Sequence, residues 1–221
     1  MALAQATRDQ LKTLYNALVD RVLEPGDPVY VAQVNHSGVA DAIEEIATEI
    51  DWQDGGGVCL FTGQRGTGKS TELKRLKRRL EDLGAVVFYV DLSEFMLLTK
   101  EVEISDFLVS VAGAMSEQLQ ARYGGSPGDN SYWNRLTAFL QTKVEFKELG
   151  LKLPGFDIKA ALKSDPDFKA RVQQAARGHV AQLVKDAHGF LGESVNYVRQ
   201  QEGDANRKVV LLIDSDRKSV V

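Results

Sequence analysis

Residues 63 to 70 read Gly-Gln-Arg-Gly-Thr-Gly-Lys-Ser, the G-x-x-x-x-G-K-S spacing of a phosphate-binding loop. Gly63, Gly66 and Gly68 let the backbone curl until successive N–H groups face a β-phosphate, and a helix starting directly afterwards adds its positive N-terminal end. Lys69 supplies a mobile cation for the β- and γ-phosphate oxygens. Ser70 brings a short neutral oxygen to the position where a phosphate-bound Mg²⁺ takes a ligand, and the hydroxyl of Thr71 comes one residue too late for that task. The expected cradle is therefore Gly63, Gln64, Arg65, Gly66, Thr67, Gly68, Lys69, Ser70 and Thr71, with a nucleoside triphosphate as its ligand. Arg65 carries no specific role in this reading, because the positions between the glycines vary freely in such loops. Four fixed positions recur by accident in a chain of this length about once in a hundred.

A loop of this kind needs a strand to deliver it and a helix to receive it. Val58-Cys59-Leu60-Phe61-Thr62 is an apolar, β-prone run of the type buried on both faces, entered through Asp54-Gly55-Gly56-Gly57. Beyond the loop, Leu73, Leu76, Leu80 and Leu83 recur at helical spacing and Gly84 is placed to end the helix. Residues 85 to 90 form a second apolar strand ending in Asp91, which suits either the edge of a site or a cap ahead of Ser93. A helix carrying Phe107, Leu108, Val111, Ala112, Met115 and Leu119 follows. Residues 208 to 214, Lys-Val-Val-Leu-Leu-Ile-Asp, hold an apolar run from Val209 to Ile213 that ends in Asp214, the Walker B pattern. A strand of that kind carries its acid to the carboxyl edge of a sheet, where it holds a water of the Mg²⁺ shell. Strand alternating with helix predicts an α/β fold with a parallel sheet.

The remaining segments divide around that core. Residues 1–54 read as a helical preface, with Leu11, Leu14, Tyr15 and Leu18 marking one amphipathic helix and Val39, Ile43, Ile46 and Ile50 another. Residues 55–123 form the first half of the core and 204–215 the Walker B strand. Residues 124–203 read as an insertion: a short helix near Trp133, a β-hairpin over 143 to 162 turning at Pro154-Gly155, and a long helix from Pro166 towards 200. Ser164 or Asp165 caps that helix, and Gly178, Gly189 and Gly192 are its weak points.

Composition narrows the class. The 221 residues are 43% hydrophobic with a formal net charge of −4, enough to bury a sizeable core. No apolar run is long enough for a membrane span or a secretory segment, so a cytoplasmic location is expected. Cys59 is expected to be a buried structural thiol, and the scattered His36, His179 and His188 give no zinc spacing. Lys74, Arg75, Lys77, Arg78 and Arg79 read as a solvated helix face rather than a nucleic-acid patch. Trp52, Trp133 and the Glu44-Glu45 pair read as packing and surface residues.

GQRGTGKSTELKRLKRRL, VVFYVDLSEF and VVLLIDS together resemble bacterial ATPases of the AAA+ and STAND group, the regulated P-loop switches. The resemblance covers roughly residues 55 to 125 and 205 to 215. It implies a three-layer α/β/α core, ATP as the nucleotide, Lys69 and Asp214 as catalytic groups, Ser70 and Asp214 on Mg²⁺, an acid just past Asp214 that orients the attacking water, and self-association of the intact protein. No Asp-x-x-Gly follows Asp214 and no Asn-Lys-x-Asp occurs, so a GTPase is not indicated.

The terminal hexapeptide DRKSVV is the translation of GAT CGG AAG AGC GTC GTG, the start of a common short-read sequencing adapter. Residues 216–221 are therefore expected to be non-native and the reading frame truncated after the Walker B strand. With strand order 5-1-4-3-2 in such ATPases, strands 4 and 5 would be missing. The chain is then expected to be marginal or aggregation-prone, or to pair 58 to 62 directly with 209 to 214, and to bind ATP weakly without appreciable hydrolysis. Three functions fit the sequence: an ATP-driven regulatory switch, a small-molecule kinase or other phosphotransferase, and a nucleotide-stabilised module that binds a protein or nucleic-acid partner.

Overall fold

Two short strands running side by side in the same direction organise the second half of this α/β chain, seen in a computed structural model that describes residues 5–18, 22–28, 30, 41–64, 66–96, 102–125, 134–135 and 163–215. The chain divides into two compact units, residues 1–79 and 80–221. The hairpin expected over 143 to 162, Trp133, Arg65 and the tail 216–221 lie outside the described residues.

In the first unit, α1 (Gln5–Leu18) follows the amphipathic pattern, yet Leu11, Leu14 and Tyr15 on its apolar face are exposed. Helix α2 (Ala42–Trp52) is capped by Asp41, whose carboxylate accepts from the N–H of Ile43 at 3.0 Å, and Glu44 and Glu45 in the first turn complement the positive helix end. Its buried side is Ile43 and Ala47, and Trp52 at its end is 79% exposed. The expected strand over 58 to 62 is absent. Residues 53–64 have no regular structure, Val58 and Leu60 are 101% and 84% exposed, and Cys59 is exposed rather than buried. An apolar pentapeptide becomes a strand only where neighbours take up its N–H and C=O groups, and among the described residues this one has no such neighbour. Helix α3 (Lys69–Asp82) begins where the phosphate-loop pattern places it, and the chain leaves it through Gly84 at φ +88°.

In the second unit, β1 (Val86–Asp91) and β2 (Val209–Asp214) form a parallel pair in register from Val86↔Val209 to Asp91↔Asp214. Residues 209 to 214 thus pair with 86 to 91 and not with 58 to 62. Asp91 accepts from the N–H of Ser93 at 2.9 Å and caps a single 3₁₀ turn, Leu92–Glu94, the capping role expected ahead of Ser93. Helix α4 (Ile104–Tyr123) ends at Gly124 in the left-handed conformation, φ +73°.

The long helix expected from Pro166 is two helices, α5 (Pro166–Arg177) and α6 (Val180–Glu202), broken at Gly178-His179. Proline starts α5, where its missing N–H costs nothing, and the Asp165 carboxylate accepts from the N–H of Asp167 at 2.9 Å. The break falls at a glycine, the residue that gains least from helical backbone after proline, whereas Gly189 and Gly192 remain inside α6. Val86 and Phe88 face α4, α5 and α6, and their core includes Met115, Leu119, Val172 and Phe190. Burial of these side chains stabilises the unit by about 1.5–3 kcal/mol each. Between α4 and α5 the buried Lys169 pairs with Asp106 at 3.2 Å, and Gln173 donates to the same carboxylate at 2.7 Å.

The far ends of α4 and α6 are joined by a tyrosine clasp. Tyr123 donates its hydroxyl to Glu202 at 2.6 Å and meets Tyr197 edge-on at 6.1 Å between ring centres. Burial, then the hydrogen bond to Glu202, pushes the Tyr123 phenol up to about 12. A raised folded value means that this contribution is complete below the unfolded tyrosine value of about 10 and is lost as pH rises through about 12. In Tyr123→Phe, urea midpoints followed by circular dichroism should fall less steeply across that window than in the wild type; parallel curves would remove the clasp from the account.

Candidate nucleotide site

The loop curls around one carbonyl. Gln64 C=O accepts from Thr67 Oγ1 at 2.7 Å and from Lys69 Nζ at 2.8 Å, so the lysine folds back over the loop that precedes it. Gly66 and Gly68 hold φ of +79° and +81°, a region closed to most side chains, and this turns the backbone before α3 starts. A Cβ on Gly63 would stand 3.0 Å from Thr67 Oγ1, so any side chain there would make the threonine hydroxyl give way by a few tenths of an ångström. The first turn of α3 points its unbonded N–H groups back into this curl.

The three residues that follow have separate surroundings. Lys69 is half-buried. Ser70 is 5% exposed, and its Oγ has no hydrogen-bond partner among the described residues. A buried hydroxyl without a partner costs about 1–3 kcal/mol. The Thr71 hydroxyl accepts from the main-chain N–H of Leu23 at 3.2 Å, so its side chain faces the N-terminal segment.

The basic run of α3 is half-buried to exposed, as a surface face should be, and the N-terminal segment and α2 supply partners along it. Lys74 pairs with Glu24, Arg78 donates to Pro25 C=O at 3.4 Å, and Arg79 pairs with Glu44 at 2.8 Å. Arg75 joins the Asp41 carboxylate to Glu72, which it meets at 2.9 Å, and Tyr30 donates its hydroxyl to Glu72 at 2.8 Å. Burial, followed by the Glu72 carboxylate, raises the Tyr30 phenol above its ordinary value. The exposed pairs contribute at most about 1 kcal/mol each, but together they set the register of residues 23 to 30 along α3.

In the second unit, Asp214 ends β2 and is 6% exposed. Tyr89, two residues back along the same face of the pair, donates its hydroxyl to Asp214 Oδ2 at 2.6 Å. Neither Tyr89 nor Tyr30 was marked by the motifs. Alternation along the strand puts Tyr89 on the face of the strand-end acid, but no spacing rule announces a phenol there.

Compared with protein-family models, curated proteins and solved structures, the chain matches none of them. Among the described residues no helix is long and apolar enough to cross a membrane.

The exposure of residues 58 to 60 gives a direct check on this site's approach. Cys59 in the native chain should react with a thiol reagent at a rate within about twofold of that in denaturant. Protection that disappears only on unfolding would show that the segment is buried in solution.

Proposed function

We propose that this chain binds ATP with Mg²⁺ through the loop at residues 63–70, as the nucleotide-binding part of a P-loop ATPase whose intact form uses hydrolysis to drive a regulatory switch. The observation that carries the reading is the buried Ser70 Oγ, without a partner among the described residues, set one residue after a lysine folded over the loop and close to two left-handed glycines. A phosphate-bound Mg²⁺ is the group for which such an oxygen is suited, and backbone curled by Gly66 and Gly68 suits phosphate oxygens. The residues present therefore fit the nucleotide and its metal.

Each residue then has a task. N–H groups of the loop and of the first turn of α3 bind the β-phosphate, and Lys69 exchanges Gln64 C=O for β- and γ-phosphate oxygens. Ser70 ligates Mg²⁺, which when bound neutralises charge on the phosphates. Asp214 keeps the magnesium role that the resemblance implies, a task that suits an enclosed carboxylate at the carboxyl end of a parallel strand. The parallel neighbours 86–91 and 209–214 are compatible with the strand order of the three-layer core that the resemblance implies.

Titration with a fluorescent ATP analogue tests the reading. Lys69→Ala should weaken binding by at least about tenfold, because a charge-assisted hydrogen bond contributes about 1.5–3 kcal/mol. Equal affinity in wild type and Lys69→Ala would contradict it.

A further inference from the structure

Tyr89 is held by one side chain of α4. Gln118 Nε2 donates to Tyr89 C=O at 2.7 Å, and Gln118 Oε1 accepts from Tyr89 N–H at 3.3 Å. In a parallel ladder the N–H and C=O of one residue point to the same side, so a single carboxamide can stand in for a neighbouring strand there. The backbone of Tyr89 is thus fixed on one edge by Gln118, while β2 pairs along the other. The register sets Tyr89 opposite Leu212, and its hydroxyl reaches diagonally to Asp214 Oδ2 at 2.6 Å. That length belongs to a short, charge-assisted O–H···O⁻ bond, made here to a carboxylate that is 6% exposed.

We infer that Tyr89 is the positioning residue of Asp214: by holding Oδ2 it sets the orientation in which the carboxylate serves Mg²⁺, and Gln118 in turn sets Tyr89. The inference rests on the proposed reading of Asp214 as a magnesium group, and the three residues it concerns all belong to the second unit. Removing a hydrogen bond that orients a direct metal ligand lowers metal affinity by about 10–100-fold, and a carboxylate that holds the ion through water belongs at the low end of that range. Asp91, opposite Asp214 in the register, is taken up by its capping bond to Ser93 and does not share this role.

The test is the Mg²⁺ dependence of ATP-analogue binding, a binding readout independent of turnover. Tyr89→Phe removes one oxygen and keeps the ring, so the core is retained and circular dichroism checks it. The Mg²⁺ midpoint should rise about tenfold, while nucleotide binding in EDTA stays as in the wild type. Gln118→Ala should move the midpoint in the same direction by a smaller factor, and Asp214→Asn by at least as much as Tyr89→Phe. An unchanged midpoint in Tyr89→Phe, with Asp214→Asn still raising it and Lys69→Ala still losing the nucleotide, would overturn the inference alone, whereas an unchanged midpoint in Asp214→Asn would overturn the magnesium reading of Asp214 and this inference with it. Wild-type binding in Lys69→Ala would overturn the nucleotide reading, and this inference with it.

Discussion

The parallel pairing of Val86–Asp91 with Val209–Asp214 is the constraint on which the second unit depends. Two parallel strands cannot be joined by a tight turn, so the chain between them must cross over. Helices α4, α5 and α6 belong to that crossover and cover the face of the pair that carries Val86 and Phe88. With only one strand partner each among the described residues, β1 and β2 need other groups for their remaining backbone. Gln118 answers that need at Tyr89. The same pairing fixes where Asp214 ends and which phenol reaches it.

In the first unit, α3 serves two sets of neighbours. Its first turn receives the glycine loop, and the basic side chains beyond are committed to the segment 23 to 30 and to α2. Thr71 marks the hand-over: Ser70 beside it is buried with its oxygen unpartnered, whereas the Thr71 hydroxyl is bonded to Leu23. A carboxylate or carbonyl is supplied for each of Lys74, Arg75, Arg78 and Arg79. The positive charge of this helix therefore fastens the N-terminal segment, and the loop's own lysine remains the cation suited to phosphate.

Local rules carried the elements whose stability is decided locally. Leucine spacing and Gly84 located α3, the run of valines ending in acid located both paired strands, and proline with Asp165 located the start of α5. The rules failed where the outcome depends on distant neighbours. Val58 to Thr62 has strand composition, yet exposed backbone without a partner does not make a strand, and Cys59 is exposed with it. Gly178 broke a helix that Gly189 and Gly192 left intact, a distinction that propensity alone does not make. Of the proposed site, the loop and Asp214 stand out in the sequence as motifs, because the chemistry proposed for them demands fixed spacing. Tyr89, Gln118 and Tyr30 were not, since each reaches its partner across 29 or more residues.

The central claim is that the buried, unpartnered hydroxyl of Ser70 and the curled glycine loop form a seat for a magnesium nucleotide. A crystal structure of the chain grown with Mg²⁺ and a non-hydrolysable ATP analogue tests it most directly. The β-phosphate is expected within the loop of residues 63–68, with Lys69 Nζ moved from Gln64 C=O onto phosphate and Ser70 Oγ about 2.0–2.1 Å from Mg²⁺. A nucleotide bound elsewhere, or a loop still closed on Gln64 with Ser70 away from any metal at saturating ligand, would contradict it.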